Sequence, residues 1–156
     1  MKIVLTTNEN ELEECAALMS KSEPFITLNI DFTRCKAAVR GDYKEVYRCI
    51  VDEEFAGFVV LSYYGTLRGY IQTICLKQQF RNKGIGTSLL KFSEEKLLKE
   101  FPNVFICVSS FNHSAQQLYY RLGYEKVGEL KDHFVKGHDE YILRKQLCPI
   151  TEFVPL

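Results

Sequence analysis

Residues Arg81, Asn82, Lys83, Gly84, Ile85, Gly86 and Thr87 stand between two apolar runs. Ile71 to Leu76 reads as a strand, and Ile85 to Phe101, with Ile85, Leu89, Phe92 and Leu97 at helical spacing, reads as a helix. A glycine-containing turn between strand and helix leaves backbone N–H groups unpaired at the helix start. Those groups and the helix dipole attract anions, phosphates above all. Arg81 and Lys83 add positive charge at the same place. The chemistry on offer is the binding of a phosphorylated cofactor. The P-loop pattern GxxxxGK[ST] is absent, because Gly84 and Gly86 are followed by Thr87-Ser88 with no lysine between. The dinucleotide pattern GxGxxG is absent too, since Leu89 takes its last position. The remaining RxxGxG also reads as a plain connection in which glycine supplies a permissive backbone angle.

A second segment, Asn112 to Tyr124, offers an amide and a phenol. Asn112 follows a buried strand-like run and can cap a helix. Tyr119 comes seven residues later, about two turns, and projects near the same side. A phenol with a pKa near 10 can donate a proton. The same spacing also fits core packing by Leu118, Tyr119 and Leu122.

Composition narrows the classes. Lys+Arg and Asp+Glu both number 20, so the formal net charge is zero. That balance argues against a nucleic-acid binder. The six cysteines, Cys15, Cys35, Cys49, Cys75, Cys107 and Cys148, show no CxxC or other metal-ligand spacing. They read as small core hydrophobes in a reducing compartment, and no metal is expected. The N-terminus is too short in apolar residues for a signal peptide, and no run approaches the roughly 18 apolar residues of a membrane span. The expectation is a cytoplasmic protein without a membrane partner. Its oligomeric state is left open, a homodimer included.

The elements that must position these groups follow from pattern. Lys2 to Thr6 is a strand. Asn8 or Asn10 caps a helix to about Ser20, and Asp31 caps a second ending near Gly41. Strands at Glu45–Val51, Phe55–Tyr64 and Arg68–Leu76 form a meander with turns at 52–54 and 65–66. After the helix opening at Ile85 come a doubly covered strand, Val104–Val108, and a helix from Asn112 to Leu122 closed by Gly123. Strands at Tyr124–Leu130 and Glu140–Leu147 complete an order β-α-α-β-β-β-α-β-α-β-β. Residues 1–147 read as one domain and 148–156 as a tail that is disordered or lies along the body or a partner.

Taken together, RNKGIG at 81–86 and NHSAQQLYYRLGY at 112–124 resemble the GNAT acyltransferase superfamily. That family shows (R/Q)xxGx(G/A) after its fourth strand and NxxAxxLYxxLGF after its fifth. The order of elements is similar as well, and the likeness is most specific from about 70 to 128. The resemblance implies an α/β fold of the α+β type, with a mixed, mostly antiparallel sheet flanked by helices. It implies an enzyme that transfers acetyl from acetyl-CoA to a primary amine by direct attack in a ternary complex. The acceptor would be a small molecule, a protein N-terminus or a lysine. By the same likeness, the backbone of Ile74, Cys75 and Leu76 would flank the pantetheine arm and acetyl group. Arg81 and the turn from Asn82 through Lys83, Gly84, Ile85 and Gly86 to Thr87 would hold the pyrophosphate. Asn112 would touch the cofactor, Tyr119 would touch it and protonate the departing thiolate, and strands 70–76 and 104–108 would splay apart to admit it.

The chemistry agrees with these residue types. The negative charges of CoA match Arg81, Lys83 and a helix N-terminus. A backbone amide near Leu76 could serve the oxyanion. The general base does not carry over. Many protein-acetylating members have a Glu on the fifth strand, where this chain has Cys107, and others have one on the fourth, where it has Tyr70 and Gln72. Glu23, Asp139, Glu140 or a water chain remain as routes for the proton, with Gln72 on the acceptor side. His113 fills a variable slot of the motif and reads as cofactor-adjacent or exposed. A second reading is a non-catalytic acyl-CoA-binding module that senses the cofactor or docks a partner.

Overall fold

The computed structural model describes all of residues 1–156. The first helix, α1, spans Glu9–Ser20 because Asn8 accepts hydrogen bonds from the N–H groups of Asn10 and Glu11. Its Leu12, Cys15, Ala16 and Met19 recur at helical spacing and are buried. Asp31 caps α2, Phe32–Ala38, through the Arg34 N–H at 2.8 Å. That helix stops at Val39, short of the expected Gly41.

Seven strands form one sheet: β1 Lys2–Thr6, β2 Lys44–Val51, β3 Glu54–Ser62, β4 Tyr70–Leu76, β5 Asn103–Ser109, β6 Glu125–Val135 and β7 His138–Gln146. Between β4 and β5 lies α3, Ile85–Leu97, and between β5 and β6 lies α4, His113–Arg121. The sheet order is β1-β2-β3-β4-β5-β7-β6, antiparallel throughout except for the parallel pair β4–β5. The expected element order and mixed, mostly antiparallel sheet are both present.

Helices cover both faces, and β3 shows why. Residues Phe55 to Leu61 are all buried. Val59 and Leu61 pack with Leu89, Leu90 and Leu97 of α3, while Phe58 and Val60 pack with Leu12, Cys15 and Met19 of α1. Alternate side chains thus feed two cores. Cys15, Cys35, Cys49 and Cys75 are buried free thiols that behave as core hydrophobes.

Two boundaries differ from pattern by four residues or more, while the strands expected at Phe55–Tyr64, Arg68–Leu76 and Glu140–Leu147 shift by one or two residues. The helix α3 ends at Leu97 and not Phe101, the last turn giving way before Pro102. The strand β6 runs on to Val135, past the expected Leu130, through an irregularity at 130–135 where Asp132 has a φ of 49°. The polar run Lys131-Asp132-His133 hides that extension. Leu147 N–H donates to the Pro102 carbonyl at 2.8 Å, and within 148–156 the Leu156 N–H donates to the Lys99 carbonyl at 3.0 Å.

The feature that makes a site is the parting of β4 from β5. They pair only at Tyr70–Phe105 and Ile71–Ile106. Just beyond, Val60 of β3 faces Thr73 while Leu61 faces Ile71, so Gln72 is an extra, bulged residue. A bulge turns the strand and reverses its alternation. Ile71 accordingly packs in the core under α3, and Cys75 in the core under α1.

The close contact of β3 with β4 depends on Gly57. A Cβ there would lie 2.2 Å from the Cys75 carbonyl oxygen and 2.9 Å from Leu76 Cα. Backbone atoms cannot step aside cheaply. Gly57→Ala is expected to cost about 3 kcal/mol, read as a fall in Tm of about 6–12 °C by circular dichroism. Gly86→Ala, whose nearest neighbour would stand at 3.7 Å, should unfold near the wild-type temperature. An unchanged Tm for Gly57→Ala would contradict this packing.

Candidate functional site

A cavity of about 130 Å³ opens where β4 and β5 separate. Pro24, Phe25, Leu28 and Ile30, from the connection between α1 and α2, line it together with Phe134 of β6. Ile71 and Ile74 of β4, Ile106 and Val108 of β5, and Asn112 and Tyr119 at α4 line it as well.

The segment 112–119 is held by its own hydrogen bonds. Asn112 caps α4 through the Ala115 N–H at 3.3 Å. The Gln116 side-chain amide donates to the carbonyls of Ser109, at 2.9 Å, and Ser110, at 3.0 Å, which fastens α4 to the end of β5. Gln116 was not among the expected residues. Its signal was a polar side chain three residues before Tyr119, on the inner face of the helix. Tyr119 is 5% exposed. Burial pushes its hydroxyl well above the ordinary phenol range, so it holds its proton at neutral pH.

The turn from Arg81 to Thr87 lies beyond this cavity, past the end of β4. Gly84 is the N-cap of α3 with a φ of 78°, and no side chain caps the helix. A Cβ at Gly84 would meet nothing within 4 Å. The first-turn N–H groups of Ile85, Gly86 and Thr87 are therefore open at the positive end of the helix dipole. Arg81 donates through Nε to the Leu76 carbonyl at 3.0 Å, tying the turn to β4, while Asn82 and Lys83 are exposed. A Cβ at Gly86 would stand 3.7 Å from Leu76 Cδ1 and 4.0 Å from Leu118 Cδ2, so the turn abuts the strand end and α4. Beyond Ile71 the side of β4 that faces β5 has no strand partner. Backbone groups of Ile74, Cys75 and Leu76 thus border the gap, with the Cys75 side chain buried in the core.

The proton-accepting candidates separate clearly. Glu140 of β7 lines the cavity at 4% exposure and accepts a hydrogen bond from the Ser109 hydroxyl opposite it. Burial raises its carboxyl above the usual range, and the Ser109 bond offsets part of that. Gln72 also lines the cavity, with its amide donating to the Ala38 carbonyl at 3.0 Å. Glu23 is exposed and accepts from the Thr27 N–H at 3.2 Å, outside the lining. Asp139 likewise lies outside it and accepts from the Asp132 N–H at 3.0 Å. Cys107 lines the cavity beside the Tyr70 hydroxyl, and burial raises both groups. The Cys107 thiol therefore stays protonated and cannot stand in for a carboxylate. His113 is exposed. No three His, Cys, Asp or Glu side chains group as a metal site, and no helix is long and apolar enough to cross a membrane.

Known proteins are similar to this chain in sequence or in fold. The model of the Acetyltransferase (GNAT) family matches residues 10–124. An N-alpha-acetyltransferase of Sulfurisphaera tokodaii is 35% identical over 96 residues, covering 58% of this chain and 57% of that protein. One of Saccharolobus solfataricus is 29% identical over 82 residues, 51% of this chain and 49% of that one. The chain thus spans about half the length of the curated relatives it matches. Among solved structures, the ribosomal-protein-S18-alanine N-acetyltransferase from Escherichia coli is similar with a TM-score of 0.75 at 14% identity, covering 99% of this chain and 100% of that one. An aminoglycoside 6'-N-acetyltransferase complexed with coenzyme A gives 0.74 at 14%, covering 96% and 98%. At such identity these two structures speak for the fold.

Proposed function

This chain belongs to the acetyltransferase (GNAT) family, and on that premise we propose that it is an N-acetyltransferase moving the acetyl group of acetyl-CoA to a primary amine by direct attack in a ternary complex. One observation carries the reading. The gap between β4 and β5 joins an uncapped helix start to a buried tyrosine that holds its proton. Such a path suits a long, phosphate-headed thioester. The coenzyme A bound to one acetyltransferase of this fold supports the same reading.

In this scheme residues 1–147 act as one domain. The N–H groups of the turn Asn82–Thr87 receive the pyrophosphate, with Lys83 adding charge and Arg81 bracing the turn. The backbone of Ile74 to Leu76 borders the pantetheine arm, and an N–H there faces the oxyanion. Asn112 positions the cofactor end of the cavity. The acceptor's ammonium gives one proton to Glu140, and the freed amine attacks the thioester carbon. The carbon–sulfur bond breaks, Tyr119 protonates the thiolate, the nitrogen's second proton goes to solvent, and the proton held by Glu140 returns through water to the Tyr119 phenolate. The net products are the amide, free CoA and one proton. No step calls on a metal ion, and the rate in excess chelator should equal the untreated rate. Loss in chelator with recovery on adding a divalent ion would overturn that expectation.

Glu140→Gln separates catalysis from stability. The folded carboxyl titrates above its unfolded range, so its favourable contribution is complete below the unfolded pKa and is lost as pH rises through the folded one. At pH 8 the wild type carries a buried charge that the Gln variant lacks. The variant should then melt higher than wild type at pH 8, lose that advantage near pH 4, and show kcat/KM lowered by about 10²-fold. A variant with unchanged kcat/KM would remove Glu140 from the proton route.

The direct test is thiol release. Purified protein with acetyl-CoA should release free thiol only when a primary amine is present. Tight acetyl-CoA binding with no amine-dependent release would favour a non-catalytic acyl-CoA-binding module instead.

A further inference from the structure

We infer that the acceptor is a singly charged primary amine carried on an apolar group, its ammonium received by Glu140 and its flank by Phe25, Leu28, Ile30 and Phe134. This rests on the acetyl-transfer reading and goes further by naming the acceptor's class. Glu140 is the only carboxylate on the cavity wall. Its Oε1 takes the Ser109 hydroxyl, and no protein donor occupies Oε2. One oxygen is therefore free for an incoming ammonium at a site 4% exposed.

Around that single charge the polar groups are spent or neutral. The Gln72 amide is committed to the Ala38 carbonyl. Tyr70, Cys107 and Tyr119 hold their protons. The carboxylates of Glu23 and Asp139 lie outside the lining and accept from the backbone N–H groups of Thr27 and Asp132. His133 is the one other ionisable side chain on the wall, and it supplies no negative charge. Pro24, Phe25, Leu28, Ile30 and Phe134 supply apolar wall to the same cavity. A polyamine or aminoglycoside would place its further ammonium groups against this apolar wall without a counter-charge, and a buried unpaired charge is strongly disfavoured. An apolar flank gains by covering the same wall.

The amine has two sources with this chemistry: the first residue of a peptide with an apolar side chain, or a free apolar amine. Initial rates of thiol release by the wild-type protein with acetyl-CoA distinguish them. The acceptors are a peptide beginning with leucine, the same peptide beginning with glycine, 2-phenylethylamine, spermidine and kanamycin. The leucine peptide or phenylethylamine should exceed both polycations and the glycine peptide in kcat/KM by about 10-fold or more, and whichever leads identifies the source. A polycation equal to or better than both overturns the inference while leaving acetyl transfer standing, and so does a glycine peptide equal to the better of the two. No release with any amine removes the acetyl-transfer reading and this inference with it. Phe134 is 49% exposed, so Phe134→Ala should keep the fold. It should cut the preference for the apolar over the glycine acceptor by about 5-fold or more. An unchanged preference would show that this wall does not contact the acceptor.

Discussion

Tyr119→Phe is expected to lower kcat by about 10²–10⁴-fold with little change in acetyl-CoA affinity. The ring keeps its place beside Tyr124, 6.0 Å between centroids, and only the hydroxyl is lost. The thiolate then has to draw its proton from water in a site where Tyr119 is 5% exposed. A merely structural hydroxyl would show the reverse: lower Tm and near-normal turnover. Tyr120 supplies the control. It lies about 100° further round α4 and is 44% exposed. Tyr120→Phe should turn over like wild type. If Tyr120→Phe is the crippled variant, the acid is misassigned by one residue; if both keep full rate, solvent protonates the thiolate.

Gly84→Asp is expected to weaken acetyl-CoA binding by up to about 10³-fold in calorimetry. Two unit charges at 4 Å repel by about 4 kcal/mol at an effective dielectric of 20, and by less where water screens them. The space beside Gly84 is open, with nothing within 4 Å, so the side chain itself meets no protein atom. The φ of 78° adds some backbone strain, which Asp tolerates better than most residues. Gly84→Ala carries that strain without the charge and should lose much less affinity. Equal affinity for Gly84→Asp and wild type would remove the pyrophosphate from this turn.

Local chemistry was legible in the sequence wherever one residue decides a local structure. Asp31 and Asn112 cap the helices they were expected to cap, and of the two candidates Asn8 and Asn10 it is Asn8 that caps α1. The glycine at 84 has the positive φ that the strand-to-helix turn needs. Asn112 and Tyr119, two turns apart, do reach one cavity. What pattern could not reveal depends on pairing between distant strands. The bulge at Gln72 exists only relative to β3, as the register shift that sets Val60 against Thr73 and Leu61 against Ile71. Four carboxyl or amide candidates, Glu23, Gln72, Asp139 and Glu140, were equivalent by composition. The register that sets Ser109 opposite Glu140, with β7 inserted between β5 and β6, selects one carboxylate for the cavity. The extension of β6 was hidden because the sheet edge tolerates the polar residues 131–133 that ordinarily mark a turn.

Direct transfer is tested most sharply by a single turnover. Protein in excess over isotopically labelled acetyl-CoA is mixed with an apolar primary amine, quenched over time, and every species is weighed by mass spectrometry. The label should pass from CoA to the amine as an amide in step with thiol release, with no labelled protein at any time. Label lodged on the chain before reaching the amine would contradict direct attack, and label that stays on CoA while the protein holds it bound would contradict acetyl transfer itself.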